Sequence, residues 1–451
     1  ALRSNRGTIN VTAENIYIAA NDNEAAVSAF SLSYDDREDG KAEIQLNAAG
    51  DITIEGNVTA GSDETKDVVS ITNQSLIVID GAGTTTINGD LKTWNGQLDS
   101  EKFDQDISSN VIRVNLRGEQ SQLNGAIIDV ADSSATGEVG TYLNLTDQAT
   151  WNVAADSTLK SLASDGGLVT TNGHQVTVDT ITNELGGTTI ETTSGEANQI
   201  KVARVVGDGL EIHLTDDAAK DLDASDLPGS LASVADIGQT DSDVTITSDE
   251  YGVYGDVEVV LGENGEAVSF TEAKNTVTQG LQDIAANNFL FFRSQMNDVS
   301  KRMGDLRSMP SAAGAWARYY GGEMKYGDMD MESRYNTLQI GADQRFGNFY
   351  LGLSASYSDG NGTLANGSTD DKNYNFGVYG GWVADNGQYV DVIVKRHRLE
   401  TDATLYYTSG LSNNADYNNW ATSLSVEYGW RFNCPSTGFY VEPQAELLYG
   451  R

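Results

Sequence analysis

Residues 420–432 alternate between apolar and polar side chains along their whole length. A β-strand points successive side chains to opposite faces, so this segment would have one apolar wall and one polar wall. The apolar wall consists of Trp420, Thr422, Leu424, Val426, Tyr428, Trp430 and Phe432. The polar wall consists of Ala421, Ser423, Ser425, Glu427, Gly429 and Arg431. Aromatic residues near the ends of the apolar wall are typical of a strand between lipid and a water-filled lumen.

The same alternation recurs through the last third of the chain. It predicts strands at residues 313–321, 334–346, 349–358, 373–384, 388–400, 418–433 and 438–450. The links at 347–348, 385–387 and 434–437 are short, whereas those at 322–333, 359–372 and 401–417 are long and polar. Outer-membrane barrels have short periplasmic turns and long outer loops, so this rhythm predicts an antiparallel outer-membrane β-barrel whose first strand runs outward. A soluble antiparallel sandwich is the alternative.

Polar residues of one parity are expected to face the lumen of this barrel. Gln339, Asp343 and Arg345 share a parity on the second strand. The fifth strand departs from the pattern, because Arg396 shares the parity of its apolar residues. A long cationic side chain near the outer rim can place its charged end in water, which accounts for this exception.

Charge is distributed unevenly along the 451 residues, whose net charge is −38. Residues 1–273 hold 13 basic and 47 acidic residues, whereas residues 274–451 hold 15 basic and 19 acidic ones. The chain therefore changes physical character near residue 273. A segment this acidic repels nucleic acid and anionic membrane surfaces, so we exclude both as partners.

The acidic segment contains many short strand-like stretches separated by Gly, Asn and Asp turns, for example at residues 8–11, 52–54, 76–79 and 127–130. Such turns end strands and permit tight corners. A spacing of about 20 residues without an exact repeat predicts a right-handed parallel β-helix, in which stacked coils bury their apolar side chains. A β-sandwich is the alternative architecture.

A different pattern precedes the predicted barrel. Residues 272–308 lack proline, and Met296, Val299, Met303 and Leu306 follow helical spacing. These residues would form one apolar face of a helix. A helix directly before the first strand of a barrel can run through its lumen and plug it.

Two motifs at this junction resemble those of a known family. The helix ends in Lys301, Arg302, Met303, Gly304, Asp305, Leu306 and Arg307, and the first strand begins with residues 314–318, Gly-Ala-Trp-Ala-Arg. With residues 338–343, 377–382 and 441–445, they resemble the translocator of classical autotransporters, the type V secretion proteins. The resemblance covers about residues 272–451. It implies a barrel in the outer membrane of a Gram-negative-type envelope that exports and anchors its own passenger, which is displayed on the cell surface or released.

The family resemblance further implies outer-membrane lipid and the barrel assembly machinery as partners. The family's barrel has more strands than are predicted here, and it ends in an aromatic residue, whereas this sequence stops at Arg451. We therefore expect a fragment with an incomplete translocator.

The serine-protease members of that family carry an Asn-Asn cleavage site a few residues before the matching motif. The corresponding positions here are Asn297 and Asp298. The first asparagine is retained, so its side-chain amide could attack its own backbone carbonyl and break the chain. The second position departs from the family pattern, which puts cleavage in doubt. The alternative is that Asn297 is an ordinary helix residue facing the lumen wall.

A second resemblance lies in the acidic segment. The run at residues 142–153, with Gly186–Ile190, is similar to the junction region of autotransporter passengers, which caps the β-helix and helps it fold. If this holds, Trp151 is an autochaperone-like residue that stacks in the core or cap rather than a platform for a ligand.

The sequence offers no catalytic or metal-binding constellation. His174, His213 and His397 stand apart from one another, and none has a second His or Cys at metal-ligand spacing. A Gly-x-Ser-x-Gly elbow, a phosphate-binding glycine loop and calcium-binding repeats are also missing. We therefore expect no cofactor, no metal and no enzymatic activity in these residues.

Without catalytic motifs, the predicted passenger role is that of an adhesin or self-association surface, with a ligand on a host cell or a sister cell. The alternative is a stalk for, or part of, a secreted polysaccharide-degrading or proteolytic enzyme. We expect four segments. They are a β-helical passenger segment (1–140), passenger C-terminal rungs (141–271), a lumen-spanning linker helix (272–310) and the first part of a β-barrel (311–451).

Overall fold

The computed structural model describes residues 1–5, 7–20, 25–30, 41–61, 72–95, 107–131, 138–308, 313–326, 331–433 and 438–451. The predicted turn at 434–437 lies outside the described residues. The chain divides into two compact units, Ala1–Ala273 and Lys274–Arg451.

The first unit is a stack of short parallel strands. In chain order they are β1 (Leu2–Ser4), β2 (Gly7–Ala13), β3 (Ile16–Ala19), β4 (Ala25–Ala29), β5 (Lys41–Ala48), β6 (Ile52–Glu55), β7 (Asn57–Ala60), β8 (Thr72–Gly81), β9 (Thr85–Asn88), β10 (Leu91–Asn95), β11 (Ile107–Arg117), β12 (Gln122–Asn124), β13 (Ile127–Ala131), β14 (Gly140–Thr146), β15 (Thr150–Asn152), β16 (Ser157–Asp165), β17 (Gly167–Thr170), β18 (Val176–Asn183), β19 (Thr188–Thr192), β20 (Ile200–Val206), β21 (Leu210–Leu214), β22 (Ala235–Thr240), β23 (Val244–Ser248), β24 (Val257–Leu261) and β25 (Ala267–Glu272).

These strands form the coils of a parallel β-helix. Up to β15 each coil contributes to three stacks, one containing β2, β5 and β8, one containing β3, β6 and β9, and one containing β4, β7 and β10. Strand β16 then pairs with both β13 and β14, so two stacks merge and later coils have two strands. The predicted parallel β-helix is confirmed.

Apolar side chains stack inside this solenoid in continuous columns. One column consists of Ile18, Ile54, Ile87, Leu123, Trp151, Val169, Ile190, Ile212 and Ile246 on successive paired strands. All but Ile18 are fully buried. Each buried side chain of this size stabilises the fold by about 1.5–3 kcal/mol, so the coils are held mainly by these columns.

The predicted spacing of about 20 residues per coil applies only to part of the solenoid. Ser157 pairs with Val176, 19 residues later, whereas Ile44 pairs with Ile77, 33 residues later. The earlier coils are longer because they contain a third strand and longer connections. The prediction is therefore wrong for the first half of the unit.

The end of the solenoid differs from its coils. Strand β23 pairs antiparallel with β24, and β24 with β25. Helices α1 (Asp216–Ala219) and α2 (Leu227–Ser233) lie in this region. The Tyr254 hydroxyl donates to the Ala219 carbonyl, and burial raises the pKa of Tyr254 to about 12. An antiparallel hairpin uses the open edge of the last coil and so ends the parallel stacking.

The second unit begins with helices α3 (Thr276–Gln295) and α4 (Ser300–Ser308). Its strands are β26 (Ala313–Tyr326), β27 (Met331–Phe346), β28 (Phe349–Leu364), β29 (Gly367–Val383), β30 (Gln388–Tyr406), β31 (Ser412–Trp430), β32 (Phe432–Asn433), β33 (Tyr440–Val441) and β34 (Gln444–Gly450). The long strands pair antiparallel in the order β26-β27-β28-β29-β30-β31-β34. Among the described residues, no helix combines the length and apolar character that crossing a bilayer requires.

The two walls of this sheet have the predicted polarity. Leu338 and Ile340 are 51% and 53% exposed, whereas Gln339 between them is fully buried on the inner wall. On β31, Trp420, Leu424 and Tyr428 face outward and the intervening polar residues face inward. Arg396 also points outward, where its guanidinium donates to the Thr422 hydroxyl (2.7 Å) and lies over the Trp420 ring (5.2 Å).

The long loops predicted at 322–333, 359–372 and 401–417 are mostly strand. The hairpins continue until β28 ends at Leu364 and β29 begins at Gly367, and until β30 ends at Tyr406 and β31 begins at Ser412. In these extensions polar residues occur on both faces of the strands, so the alternation that predicted the strands fades there. Periodicity therefore located the alternating part of each hairpin and missed its extension.

Candidate functional site: the helices within the second unit

The predicted helix 272–308 is two helices separated by a break at residues 296–299. Helix α3 begins after Asn275, whose side chain accepts from the Thr278 backbone N–H (2.6 Å). This bond satisfies one of the N–H groups that a helix start leaves free. The predicted apolar face is present, since Met296, Val299, Met303 and Leu306 are all buried.

The first half of α3 packs against the extended ends of the hairpins. Val277 and Ile284 share an apolar cluster with Leu364 and Leu405. Gly280 permits this close approach, because a Cβ there would lie 2.6 Å from a Leu405 methyl carbon. The hairpin extensions that the sequence missed therefore form the docking surface for this helix.

Further along α3, two asparagines enter a buried polar layer. Asn287 donates to Asp371 (2.6 Å) and to the Thr369 hydroxyl (3.1 Å). The Thr401 hydroxyl donates to Asp371 (2.6 Å), and its oxygen lies 3.0 Å from the side-chain oxygen of Asn288. Charge-assisted hydrogen bonds of this kind fix the rotation of the helix against the strands.

The break between the helices is held by residues from several strands. Asp298 forms a buried ion pair with Lys395 of β30 and accepts from the Tyr320 hydroxyl of β26 (2.8 Å). Lys395 also donates to the Gln295 carbonyl (2.9 Å), and Arg318 donates to the Asp298 carbonyl (2.9 Å). The ammonium of Lys395 thus joins the end of α3 to the segment that precedes α4.

Asn297 lies beside this cluster on a more exposed side. Its Nδ2 donates to both carboxylate oxygens of Glu446 on β34, at 3.1 and 3.0 Å. The two residues of the predicted cleavage site therefore contact different strands. Asn297 faces a carboxylate, and Asp298 faces a lysine.

The motif that follows supplies two arginines whose side chains are largely, but not fully, buried. Arg302 donates through Nε and an Nη to the two carboxylate oxygens of Asp343, each at 2.8 Å. Asp343 also accepts from the Tyr379 hydroxyl (2.8 Å), which in turn accepts from the Trp316 indole (2.8 Å). Bidentate arginine–carboxylate geometry is strong and specific, so this network fixes α4 on the inner wall.

The second arginine, Arg307, closes the C-terminal end of α4. Its guanidinium lies 3.7 Å from the centre of the Tyr389 ring, and 3.5 Å separates it from both Asp391 and Glu427. Arg345 donates to the carbonyls of Leu306 and Arg307, both at 3.1 Å. A cation at this position favours the last turn of the helix.

The remaining residues of the motif differ in how deeply they are buried. Met303 and Leu306 lie in an apolar cluster with Tyr350, whereas Lys301 and Asp305 are exposed. Gly304 is half-buried, and a Cβ there would meet only the far end of Arg307. The alternation predicted that Asp343 faces inward. Sequence reasoning missed Lys395 and Glu446 as partners, because strand parity gives a direction and no pairing.

In the first unit the structure places Trp151 inside the solenoid. It is fully buried, and its indole N–H donates to the Gly125 carbonyl (3.0 Å). It stacks between Leu123 and Val169. Within the described ranges, three or more His, Cys, Asp or Glu side chains nowhere gather closely enough to hold a metal ion.

Comparison with known proteins identifies the family of the second unit. Residues 315–451 match the family model of the autotransporter β-domain. The C-terminal unit is an autotransporter β-domain. It lies in the outer membrane, and the solenoid before it belongs to a passenger that is exported to the cell surface or released.

Curated relatives match the chain over both units. The chain is 26% identical over 425 residues to the serine protease Pet autotransporter of Escherichia coli O44:H18, and the match covers 90% of this chain and 32% of the relative. It is 26% identical over 404 residues to the serine protease EspC of Escherichia coli O127:H6, covering 85% of this chain and 28% of the relative. The chain thus spans about a third of the length of these relatives.

A solved structure is also similar. The β-domain of the Bordetella autotransporter BrkA is 28% identical, with 31% of this chain and 57% of that chain covered and a TM-score of 0.29.

One expectation from the sequence is contradicted by these relatives. We expected no enzymatic activity, yet Pet, EspC, EspP and Sat are all named serine proteases. The reasoning failed because a motif search over these residues samples only about a third of proteins of this kind.

Proposed function

We propose that this autotransporter exports a serine-protease passenger, for which the β-helical unit is the stalk. The observation that carries the proposal is the extent of the match to Pet, which includes the solenoid as well as the β-domain. A relative that shared only the export device would match the β-domain alone. The rigid stacked coils suit a stalk, since each coil contacts only its neighbours and the stack can be long.

The proposal is tested with the complete gene expressed in a Gram-negative host. We expect proteolytic activity on a peptide substrate at the cell surface or in the culture medium, and we expect a serine-directed inhibitor to abolish it. Export of the passenger without any inhibitor-sensitive proteolysis would contradict the proposal. Cells that express the gene with Arg302→Met, which we expect to destabilise the β-domain, serve as the control for loss of export.

An adhesin or self-association surface remains the second candidate for the passenger. The solenoid supports it, because stacked strands present long faces to a partner. The discriminating measurement is the settling of cells that express the complete gene, compared with cells that express the β-domain without the solenoid. Settling that depends on the solenoid and persists with the protease inhibitor would favour this candidate over the stalk.

We propose that the outward wall of the β-domain contacts outer-membrane lipid and that the barrel assembly machinery inserts it. The exposed apolar residues Leu338, Ile340, Leu353 and Phe376 support lipid contact, because an exposed band of this kind would be unfavourable in water. The test is incorporation of a photo-crosslinkable residue at Ile340. We expect it to react with lipid acyl chains, and reaction with water alone would contradict the proposal.

We further propose that the peptide bond between Asn297 and Asp298 is the release site of the passenger. The Asn297 Nδ2 would attack the carbonyl carbon of its own residue, while Glu446 accepts a proton from Nδ2. The bond from that carbon to the Asp298 nitrogen would break, and Glu446 would return the proton to the leaving amine. The products are a C-terminal succinimide at residue 297 and a free amine on Asp298.

Contacts at both residues support this proposal. Both oxygens of Glu446 lie within hydrogen-bond distance of Nδ2, which is the geometry required of a general base. Asp298 departs from the second asparagine of the related proteins, and the ammonium of Lys395 balances its charge. Arg318 donates to the carbonyl of Asp298, and Tyr320 donates to its carboxylate. The new N-terminus at Asp298 would therefore stay fixed in the β-domain when the passenger leaves.

Mass spectrometry of the exported passenger tests the release site. We expect a passenger that ends at residue 297, and we expect Glu446→Gln to slow release while the β-domain still folds. Asn297→Gln is the matched variant, because its longer side chain cannot form the same five-membered ring. Release at another bond, or unchanged release in Asn297→Gln, would contradict the proposal.

A further inference from the structure

A groove with an unusual lining lies on one outward face of the solenoid. It is formed by β1, β4, β7, β10 and β13, and its volume is about 370 Å³. The lining includes basic, hydroxyl-bearing and aromatic side chains, which are Arg3, Ser28, Thr59, Lys92, Phe30 and Trp94.

A polar row crosses this groove with one side chain per coil. Arg3 pairs with Ser28, Ser28 with Thr59, and Thr59 with Lys92 in the strand register. Neighbouring strands are about 4.7–4.9 Å apart, so the row offers a hydrogen-bonding group at regular short intervals. This repeat suits an extended ligand that carries hydroxyl groups along its length.

A second row beside it is apolar. Phe30, Gly61 and Trp94 follow one another on successive coils, and the Gly61 N–H donates to the Ala29 carbonyl (2.9 Å). Gly61 has a φ of +83°, and a Cβ there would lie 2.9 Å from the Trp94 carbonyl, so this position stays without a side chain. Trp94 is half-buried and pairs with Val130, which is 47% exposed.

The cation at one end of the groove is held in a defined position. The guanidinium of Arg3 lies 4.7 Å from the centre of the Phe30 ring, and no carboxylate of the described residues lies within ion-pair distance of it. Lys92, in contrast, pairs with Asp90 at 3.1 Å. In a unit with 47 acidic and 13 basic residues, Arg3 thus stands out, because among the described residues no carboxylate occupies its hydrogen-bond donors, and these suit an anion.

We propose that this groove binds an oligosaccharide that carries a carboxylate. The carboxylate would pair with Arg3, a sugar ring would stack on the indole of Trp94, and ring hydroxyls would bond to Ser28 and Thr59. Aromatic faces with a few well-placed polar groups are typical of ligand sites. A long polyanion is disfavoured because the unit is strongly acidic, so a short or sparsely charged glycan fits better.

The test is a glycan array probed with the full 451-residue chain in detergent micelles. It would hold oligogalacturonates and sialyllactose beside their methyl esters, which differ from them only in the charge of the carboxylate. We expect at least one acid to be retained, with its ester bound about tenfold more weakly, as loss of one charge-assisted bond predicts. Equal binding of acids and esters, or no binding of any acid, would overturn the proposal.

Variants separate the groove from the rest of the solenoid. We expect Arg3→Gln and Trp94→Ala each to weaken binding by about tenfold or more. Arg113→Gln is the matched control, because Arg113 also lies over an aromatic ring, that of Tyr142 at 4.5 Å, on another face. Far-UV circular dichroism of each variant confirms that the coils are intact. An equal loss with Arg113→Gln would also overturn the proposal.

Discussion

Arg302 of α4 and Asp343 of β27 form a bidentate ion pair, with both nitrogen–oxygen distances at 2.8 Å. The pair joins the helix motif to the inner wall of the β-domain, and Tyr379 adds a third hydrogen bond to the same carboxylate. The arginine of the Lys-Arg-Met-Gly-Asp-Leu-Arg run therefore has a physical role, which is to fix α4 inside the sheet.

Arg302→Met should loosen α4, because it leaves the Asp343 carboxylate buried with no cationic partner. Removing one partner of a buried ion pair costs about 3–5 kcal/mol. Hydrogen exchange of the α4 amides in micelles should become faster by orders of magnitude. Lys301→Met is the matched control, since Lys301 is exposed beside it and should leave the exchange unchanged. Equal exchange in both variants would show that the pair does not hold the helix.

Lys395→Met should destabilise the β-domain by about 3–5 kcal/mol, because Asp298 would keep a buried charge. The double variant Lys395→Met, Asp298→Asn should recover most of that loss, since both charges are then absent. Thermal unfolding in micelles measures the effect. Lys325→Met removes an exposed lysine that pairs with Glu323 and Glu332 and should cause no measurable change. Failure of the double variant to recover would mean that the lysine acts by packing alone.

Trp151→Ala should destabilise the β-helix by about 3–5 kcal/mol, because it opens a cavity in the central column and leaves the Gly125 carbonyl without its donor. Guanidinium-induced unfolding of the solenoid reports this change. Tyr17→Ala, at an exposed aromatic residue of β3, is the control and should have little effect. The resemblance also implies that Trp151 helps the passenger to fold. We therefore expect the amount of Trp151→Ala displayed on the cell surface to fall further than its loss of equilibrium stability explains.

The stability of the solenoid should rise as pH falls from neutral toward 3.8. Burial raises the pKa of the Asp129 carboxyl above that of an aspartate in water, so the folded state takes up a proton more readily than the unfolded state does. Ionised Asp129 therefore opposes folding above its raised pKa, and protonation relieves this cost as pH falls. Asp129→Asn should flatten that part of the profile of unfolding midpoint against pH, whereas Glu119→Gln at an exposed position should not. An unchanged profile in Asp129→Asn would contradict this assignment.

Much of the fold follows from local patterns in the sequence. The alternation at Trp420, Leu424 and Tyr428 predicts which wall faces lipid, because strand geometry ties sequence parity to direction. The apolar face at Met303 and Leu306 predicts a lumen helix for a similar reason. In each case the signal arises because one face of the strand or helix is apolar along its whole length.

The remaining features depend on contacts between residues far apart in sequence. Lys395 and Asp298 are 97 residues apart, and Asn297 and Glu446 are 149 apart. Neither pair can be predicted from periodicity. The pattern shows that a polar side chain faces inward, but it does not show which residue that side chain contacts. The number of strands per coil cannot be predicted from the sequence either, because connections of variable length separate paired strands such as β5 and β8.

Impermeant maleimide labelling of intact cells tests whether the β-domain places the solenoid outside the cell. The complete gene would carry Cys434→Ser, with a new cysteine either at the exposed Leu185 of the solenoid or at Asp385 in a short turn of the β-domain. We expect Leu185→Cys to be labelled on intact cells and Asp385→Cys to be labelled only after lysis. Labelling of Leu185→Cys only after lysis would contradict this expectation.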